Sequence, residues 1–306
     1  MNGTERPFKD FGSIVERART MPPLSVCVAA AEDRVVLEAL HKAAALGIAE
    51  PVLVGDAPKI RSIAEDIGLS GCKIVDSPSP EASAAEAVER VRRGEARLLM
   101  KGMVNTSVFM RAILNREGGL RTGNLISLLA VYELPGHPKL IFGTDSGINT
   151  APNLEQKRNI LANALHALRS MGLERPKVAI LAANEAVDPK IPATADAKAL
   201  SDLAREGAFP PCIVEGPLAL DVIFDRKAAE HKNIDSRVSG DVDLLLFPNI
   251  ETGNALGKSW LHFNRAKWAG IVLGAAAPVI LGSRSDTAEI KLNSIAMGSL
   301  AARAMI

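Results

Sequence analysis

The sequence has few aromatic residues and almost no excess of charge of either sign. Aromatic side chains make up 4% of the 306 residues, and 36 Lys and Arg stand against 35 Asp and Glu. Single-strand nucleic-acid binding uses aromatic stacking platforms, and proteins that wrap nucleic acid carry a basic excess. We therefore expect no nucleic-acid partner, whereas a small anion held by a few local arginines is compatible with a net charge of +1.

Cysteines and long apolar runs are also scarce. The three cysteines, Cys27, Cys72 and Cys212, lie far apart without Cys-x-x-Cys spacing, which predicts buried or half-buried thiols and no disulfide framework. The longest apolar stretch, residues 269–281, contains Pro278 and is shorter than the ~20 residues that span a bilayer. The amino-terminal segment has charges where a secretory signal needs an apolar core. We expect a cytoplasmic protein with no membrane partner.

Several motifs of other enzyme classes are missing. The histidines stand singly, without His-Glu-x-x-His spacing, so we expect no metal site. Neither a Walker loop nor Gly-x-Ser-x-Gly occurs, and Gly-x-Gly-x-x-Gly does not follow the first predicted strand. These absences disfavour a serine hydrolase and a dinucleotide-binding enzyme.

The sequence does contain a repeated alternation of short β-branched runs and amphipathic segments. The runs lie at residues 25–30, 51–56, 73–76, 97–102, 139–145, 177–183, 212–216 and 243–249. Consecutive apolar positions joined by helical segments are typical of mostly parallel sheets with helices on both faces. The sequence therefore predicts a two-domain α/β protein, with a last helix from Ile290 that packs on the first half.

Polar loops follow four of the predicted strands. They lie at residues 101–107 (KGMVNTS), 143–149 (GTDSGIN), 247–254 (FPNIETGN) and 282–286 (GSRSD). In open parallel sheets, ligands bind beyond the carboxyl ends of the strands. We therefore expect the functional site among these loops.

The 101–107 loop resembles a phosphate-binding turn. Gly102 would let a phosphate approach the backbone closely, while Asn105, Thr106 and Ser107 would supply donors at the start of a helix. The alternative is that Thr106 or Ser107 is an ordinary N-cap.

Two arginines near this loop could clamp the same anion. Arg111 follows Ser107 by one helical turn, and Arg121 lies in the glycine-flanked segment GGLRTGN. The alternative for each is a solvated surface charge.

The segment SRSDTAE brings four reactive side chains together. Ser283, Arg284, Asp286 and Glu289 lie within seven residues, and Arg284 could stabilise a developing negative charge. If a helix begins near Ser285 or Asp286, a capping box explains Asp286 and Glu289 without catalysis.

Taken together, these loops resemble the phosphate acetyltransferase and phosphate butyryltransferase family. The resemblance covers nearly the whole chain in order and is carried by LMKGMVNTSVFMRAILN (99–115), TDSGINTAPNLEQK (144–157), DLLLFPNIETGN (243–254) and LGSRSDTAEIKLNSIA (281–296). It implies a two-domain α/β fold similar to isocitrate and isopropylmalate dehydrogenases, and a homodimer with its active site in the interdomain cleft. We expect the first domain to comprise residues 1–146 and 283–306, and the second residues 147–282.

The family resemblance also implies the reaction. It is the reversible transfer of a short acyl group, acetyl to butyryl, between coenzyme A and inorganic phosphate, with coenzyme A as substrate and no bound cofactor. The partners are then acyl-coenzyme A and phosphate. Two alternatives are a non-catalytic relative that binds acyl-coenzyme A or an anion, and an NAD-dependent oxidative decarboxylase on the same architecture.

The resemblance assigns roles to individual residues. Ser283 and Arg284 correspond to the family's catalytic pair. The family's basic carboxylate falls on Glu289 or Asp286, because this chain is one residue shorter at that point.

The remaining family positions lie in the other loops. Arg111 corresponds to the arginine on the phosphate side. Asp145 and Asn149 correspond to an Asp and an Asn at a strand end, which are expected to bind phosphate or acyl phosphate. Asn249 and Asn254 match the segment expected on the coenzyme A side.

Overall fold

A computed structural model of the protein describes residues 8–283 and 285–305. The strands, in chain order, are β1 (Leu24–Ala29), β2 (Ala49–Gly55), β3 (Lys73–Asp76), β4 (Leu98–Lys101), β5 (Ser127–Glu133), β6 (Ile141–Thr144), β7 (Lys177–Leu181), β8 (Ile213–Leu218), β9 (Leu244–Leu246), β10 (Lys267–Leu273) and β11 (Val279–Ile280). The helices are α1 (Phe11–Arg19), α2 (Arg34–Ala45), α3 (Ala57–Ile67), α4 (Pro80–Arg92), α5 (Thr106–Ile113), α6 (Leu154–Ser170), α7 (Pro192–Arg205), α8 (Leu220–Phe224), α9 (Arg226–His231), α10 (Ile250–Phe263) and α11 (Ala288–Ala301).

The chain folds into two compact units. The first unit consists of Phe11–Asn124 and the chain from Ala269 onward, and the second of Leu125–Trp268 with the residues up to Asp10. This division differs from the boundaries expected from the sequence. The physical reason is strand pairing: β6 pairs with β9, so the segment before residue 147 belongs with the second unit, and β11 pairs with β4.

The first unit contains a mostly parallel sheet in the order β3-β2-β1-β4-β11. These strands pair in parallel, and β11 also pairs antiparallel with β10. Helix α4 contacts β1, β2 and β4, whereas α11 contacts α1 and α2. The last helix thus packs against elements from the start of the chain.

Local sequence signals set the helix ends in this unit. The Asp33 carboxylate accepts hydrogen bonds from Val35 N–H at 2.9 Å and Val36 N–H at 3.3 Å, which caps α2. Helix α3 ends at Gly68, whose φ of 74° lies in the left-handed region that favours glycine. Asp33 therefore sets the start of α2, and Gly68 sets the end of α3.

The second unit contains strands in the order β5-β6-β9-β7-β8, parallel except for the antiparallel pair of β5 and β6. Several of the few aromatic residues gather in its core. The ring centroids of Tyr132 and Trp260 lie 5.0 Å apart, and those of Phe224 and Trp260 lie 6.1 Å apart, both edge to face. Such pairs contribute packing energy beyond the area they bury.

The α/β class and the mostly parallel sheets are confirmed, but β5, β10 and α10 were not predicted. The segment SLLAVYE of β5 contains good helix formers as well as the strand formers Val131 and Tyr132, so its composition does not separate strand from helix. Strand β10 forms part of the long apolar stretch and ends just before Gly274.

The predictions about cysteines agree with the structure. Cys27 is buried, Cys72 and Cys212 are half-buried, and all three are free. Burial raises the pKa of the Cys27 thiol to about 12, so this group is chemically inert at neutral pH. Of the helices in the described ranges, none has the length and apolar character needed to cross a membrane.

Candidate active site

The strand order of the first unit marks a ligand-binding position. From β1 the chain continues to β2 and β3 on one side, and β4 then pairs with the opposite side of β1. Ligands in open α/β sheets bind at the carboxyl ends of the strands where the order reverses in this way. The 101–107 loop begins at this point, immediately after β4.

Gly102 has a structural role that does not involve a ligand. Its N–H donates to the Ala29 carbonyl at 2.9 Å, and Met103 N–H donates to the Ala30 carbonyl at 2.7 Å. A Cβ atom at Gly102 would lie 2.1 Å from the Ala30 oxygen. The sequence-based interpretation gave Gly102 a role in phosphate approach, but contact with the end of β1 already requires glycine here.

Helix α5 begins after this loop, with Asn105 as its N-cap residue. This corrects the alternative that Thr106 or Ser107 is the cap. The Asn105 side chain makes no capping hydrogen bond, and Thr106 and Ser107 are exposed in the first turn. First-turn N–H groups that donate no such bond to the cap side chain are suited to binding an anion.

The start of α2 differs from the start of α5. The Asp33 carboxylate accepts hydrogen bonds from the first-turn N–H groups of α2. In a dinucleotide-binding protein, the pyrophosphate binds to the corresponding N–H groups. A second negative charge is unfavourable at this position. The geometry therefore argues against the NAD-dependent alternative.

Both candidate arginines of the first unit are exposed. Arg111 lies on α5, one turn beyond Ser107, and Arg121 forms an isolated backbone bridge with Ala275. The adjacent Thr122 hydroxyl donates to the Gly274 carbonyl at 2.7 Å. The segment that carries Arg121 is therefore fixed at its backbone.

The Ser283 loop, defined as the described residues 282–283 and 285–287, lies directly before α11. Ser283 N–H donates to Asp286 Oδ2 at 2.6 Å, and Asp286 N–H donates to the Ser283 carbonyl at 3.2 Å. The Ser283 hydroxyl lies 2.9 Å from the Ser285 hydroxyl, and both serines are exposed. Arg284, the predicted partner of Ser283, lies outside the described residues.

Helix α11 begins later than the capping-box alternative requires. Thr287 is the N-cap, since its hydroxyl accepts from Ile290 N–H at 3.3 Å. Asp286 therefore precedes the helix and closes the turn with Ser283. Glu289 is exposed in the first turn of α11, where a negative charge is favourable.

One charged side chain of this loop and two near it are buried. Asp286 is 7% exposed, Lys101 6% and Lys291 3%. Burial raises the pKa of Asp286 above its ordinary value, while the Ser283 N–H and the charges of Lys291 and Lys101 oppose this rise. A carboxyl group with a raised pKa is a stronger proton acceptor than an ordinary aspartate.

The two lysines were missed by the sequence reasoning. Lys291 Nζ donates to the Ser283 carbonyl at 3.0 Å, and Lys101 Nζ to the carbonyls of Gly102 and Val104, both at 3.3 Å. Two sequence features could have revealed them. Lys101 ends an apolar predicted strand (LLMK), and Lys291 lies in a mostly apolar predicted helix (AEIKLNSIA). Such lysines are rarely fully buried without a specific partner.

In the second unit, Asp145 organises its own loop. Its carboxylate accepts hydrogen bonds from the N–H groups of Gly147, Ile148 and Asn149 at 2.9 to 3.2 Å. It also accepts from Asn149 Nδ2 at 2.6 Å, and that same amide donates to the Ile126 carbonyl at 2.9 Å. These bonds fix the backbone of the loop that carries Asp145 and Asn149.

Asn249 and Asn254 occupy the start of α10. Asn249 caps the helix, since its Oδ1 accepts from both the N–H and the hydroxyl of Thr252, at 2.9 and 2.7 Å. Asn254 is exposed, and its Nδ2 donates to the Ser146 carbonyl at 3.4 Å. Asn254 therefore connects α10 to the loop that Asp145 organises.

The residues that the structure describes include no group of three or more His, Cys, Asp or Glu side chains able to hold a metal ion. The described part of the candidate site consists of hydroxyl, amide, carboxylate, ammonium and guanidinium groups. Such groups bind anions and exchange protons.

Comparison with known proteins identifies the family. A family model described as phosphate acetyl/butaryl transferase matches residues 80–299. The chain is 43% identical over 297 residues to phosphate butyryltransferase of Clostridium acetobutylicum, covering 96% of this chain and 99% of that protein. It is 40% identical over 292 residues to phosphate acetyltransferase of Rhizobium meliloti, covering 95% and 92%.

A solved structure agrees with these relatives. The branched-chain phosphotransacylase from Enterococcus faecalis superposes with a TM-score of 0.81 at 30% identity, covering 91% of this chain and 99% of that one. The chain belongs to the phosphate acetyltransferase and phosphate butyryltransferase family, and it is an acyltransferase.

Proposed function

We propose that this acyltransferase moves a short acyl group reversibly between coenzyme A and inorganic phosphate. The observation that carries the proposal is the Ser283 loop, in which the backbone N–H of an exposed serine is hydrogen-bonded to a buried carboxyl group. Acyl-coenzyme A and phosphate are the substrates in one direction, and acyl phosphate and coenzyme A in the other. The protein supplies no bound cofactor in this scheme.

Asp286 is proposed as the base. A thiol has a pKa of about 8.5 and attacks only as the thiolate. Asp286 accepts the thiol proton, and the raised pKa of this carboxyl favours that transfer. The thiolate sulfur then bonds to the acyl carbon of acyl phosphate, the carbon–oxygen bond breaks, and phosphate leaves with the electron pair.

Ser283 and Arg284 are proposed to stabilise the reacting centre. The exposed Ser283 hydroxyl is available to hydrogen-bond the thiol or the tetrahedral oxyanion, and Arg284 is assigned to the oxyanion by the family resemblance. No acyl-enzyme intermediate is needed, because two substrates held side by side react directly with a large gain from proximity.

The phosphate is proposed to bind at the start of α5. The first-turn groups of Thr106 and Ser107, with Arg111 and Arg121, supply N–H donors and positive charge. We expect Arg111→Ala to raise the KM for phosphate by about tenfold, since losing one charged hydrogen bond costs about 1.5 kcal/mol. Arg116→Ala, a nearby exposed arginine, is the matched control, and an equal KM change in both variants would contradict the assignment.

The second-unit residues are proposed to serve the same reaction indirectly. Asp145 and Asn149 fix the shape of their loop, and Asn249 and Asn254 fix the start of α10 on the proposed coenzyme A side.

Release of thiol from acyl-coenzyme A in the presence of phosphate tests the proposed function. We expect phosphate-dependent turnover with acetyl-, propionyl- or butyryl-coenzyme A, and a large loss of turnover in Ser283→Ala. Glu289→Gln, compared with Asp286→Asn, decides between the two carboxylates. Calorimetric binding of coenzyme A without turnover on any of these thioesters would instead indicate a non-catalytic binding protein.

We also propose that the protein is a cytoplasmic homodimer with the two-domain plan of isocitrate and isopropylmalate dehydrogenases. The family resemblance supports this proposal. Light scattering coupled to gel filtration measures the molecular mass, and a value near 32.4 kDa, that of one chain, would contradict the dimer.

A further inference from the structure

Lys291 is a buried ammonium group that the mechanism above does not use. It lies on α11 at 3% exposure, among neighbours that are mostly apolar or small. Burying an ammonium group is costly unless hydrogen bonds or an opposite charge compensate it. A lysine held in this position therefore needs a specific partner.

The partners of Lys291 belong to the Ser283 loop. Its Nζ donates to the Ser283 carbonyl at 3.0 Å. A Cβ atom built on Gly282 would lie 3.3 Å from Lys291 Nζ and 3.8 Å from Asp286 Oδ2. The ammonium and the carboxylate therefore both lie against the backbone of Gly282.

These contacts fix both the N–H and the carbonyl group of Ser283. Its carbonyl accepts from Lys291 Nζ and from Asp286 N–H, while its N–H donates to Asp286 Oδ2. Ser283 itself is exposed, and its hydroxyl lies 2.9 Å from the Ser285 hydroxyl.

We propose that Lys291 is a positioning residue, whose buried ammonium holds the Ser283 carbonyl and the Asp286 carboxylate in the arrangement that acyl transfer requires. This inference rests on the proposed function, because it assigns Ser283 and Asp286 to the reaction. Lys291 itself need not touch a substrate.

The charged groups that act on Asp286 come from two elements. Lys291 acts from α11 and Lys101 from the end of β4, and the Ser283 N–H is hydrogen-bonded to the carboxylate. Removing the Lys291 ammonium leaves the carboxylate with less positive charge nearby. The pKa of Asp286 then rises further, so the carboxyl group stays protonated up to a higher pH.

The test compares Lys291→Met with Lys157→Met. Lys157 is a matched control, since it is also a buried helical lysine, 5% exposed, whose Nζ lies 2.7 Å from Asp196 Oδ2 in the second unit. We expect Lys291→Met to lower kcat by about 10²-fold, the cost of a displaced reactive group, with the KM for phosphate little changed. The acidic limb of its kcat/KM profile should shift to higher pH, whereas Lys157→Met should keep the wild-type kcat and profile.

Two further measurements separate positioning from a purely structural role. Butylamine should restore part of the phosphate-dependent rate of Lys291→Ala, and butanol should not, because only the amine replaces the ammonium. Lys291→Arg should retain more activity than Lys291→Met. Wild-type kcat and pH profile in Lys291→Met, or equal kcat losses in the two methionine variants without rescue by the amine, would overturn the proposal.

A failure of the proposed function remains distinguishable from a failure of this inference. If the wild-type protein shows no phosphate-dependent thiol release, the function fails, and carboxyl NMR of protein labelled with ¹³C-aspartate still measures Asp286. A pKa of Asp286 that is the same in wild type and in Lys291→Met would then overturn the inference.

Discussion

Asp145 and Asp286 are both buried aspartates in loops beyond strands, yet their surroundings differ. The Asp145 carboxylate receives hydrogen bonds from three backbone N–H groups and one side-chain amide of its own loop. The Asp286 carboxylate accepts one hydrogen bond from a backbone N–H and lies near two buried lysines. Both carboxylate oxygens of Asp145 accept hydrogen bonds that hold its loop. The described bonds of Asp286 involve one oxygen and leave the other for proton exchange.

The role of a buried carboxylate therefore depends on its hydrogen-bond partners as well as on its position in a motif. Both residues follow sequence patterns of the same family, TDSGIN and GSRSD. A saturated carboxylate stabilises a loop, and one whose pKa is raised by burial is suited to accepting a proton. The following predictions test this difference.

The largest effect is expected for Asp286→Asn. Removing a general base lowers kcat by about 10² to 10⁴-fold, and steady-state thiol-release assays measure this loss. The wild-type kcat/KM should fall as the pH drops through the raised pKa of Asp286, at a pH above the ordinary aspartate value of about 3.9. Unchanged kcat in Asp286→Asn, together with loss in Glu289→Gln, would assign the base to Glu289.

Asp145→Asn should act mainly on stability. An amide cannot accept the bonds that both carboxylate oxygens accept, and hydrogen bonds to charged groups contribute about 1.5 to 3 kcal/mol each. We expect urea unfolding to show a loss of about 2 kcal/mol. A variant with wild-type stability and strongly reduced kcat would place Asp145 in the chemistry and remove the contrast with Asp286.

Asn249→Ala should have a smaller effect on stability. The loss of an N-cap costs about 1 kcal/mol, because Thr252 loses the acceptor for its N–H and its hydroxyl. Asn254→Ala is the matched control, since this exposed side chain makes only a 3.4 Å bond. Equal losses in the two variants would show that capping is not the role of Asn249.

The smallest effect is a pH-dependent difference in stability. Because the folded pKa of Asp286 is raised, the contribution of this group to stability is full below the unfolded pKa and is lost as the pH rises through the folded value. Asp286→Asn does not titrate, so its stability relative to wild type should increase between about pH 4 and neutral pH. Urea midpoints across this range measure the change, and a decrease would contradict the sign.

Much of the fold followed from the sequence because its signals are local. The runs at 25–30 and 73–76 agree with β1 and β3 within a residue or two. Strands β5 and β10 did not follow, because their segments have no polar alternation or helical period that separates strand from helix. The unit boundaries also depend on pairing between strands far apart in the chain.

The sequence by itself determined the α/β class, the family and the loops in which polar residues gather, because spacing and composition are properties of the chain. Only the tertiary structure showed that Lys291 hydrogen-bonds the Ser283 loop, that the charge of Lys101 acts on Asp286, and that Asp145 is saturated within its own loop. Burial and hydrogen-bond partners depend on which distant segments pack together. They also set the charge state and reactivity of a carboxyl group, so identical residue types acquire different roles.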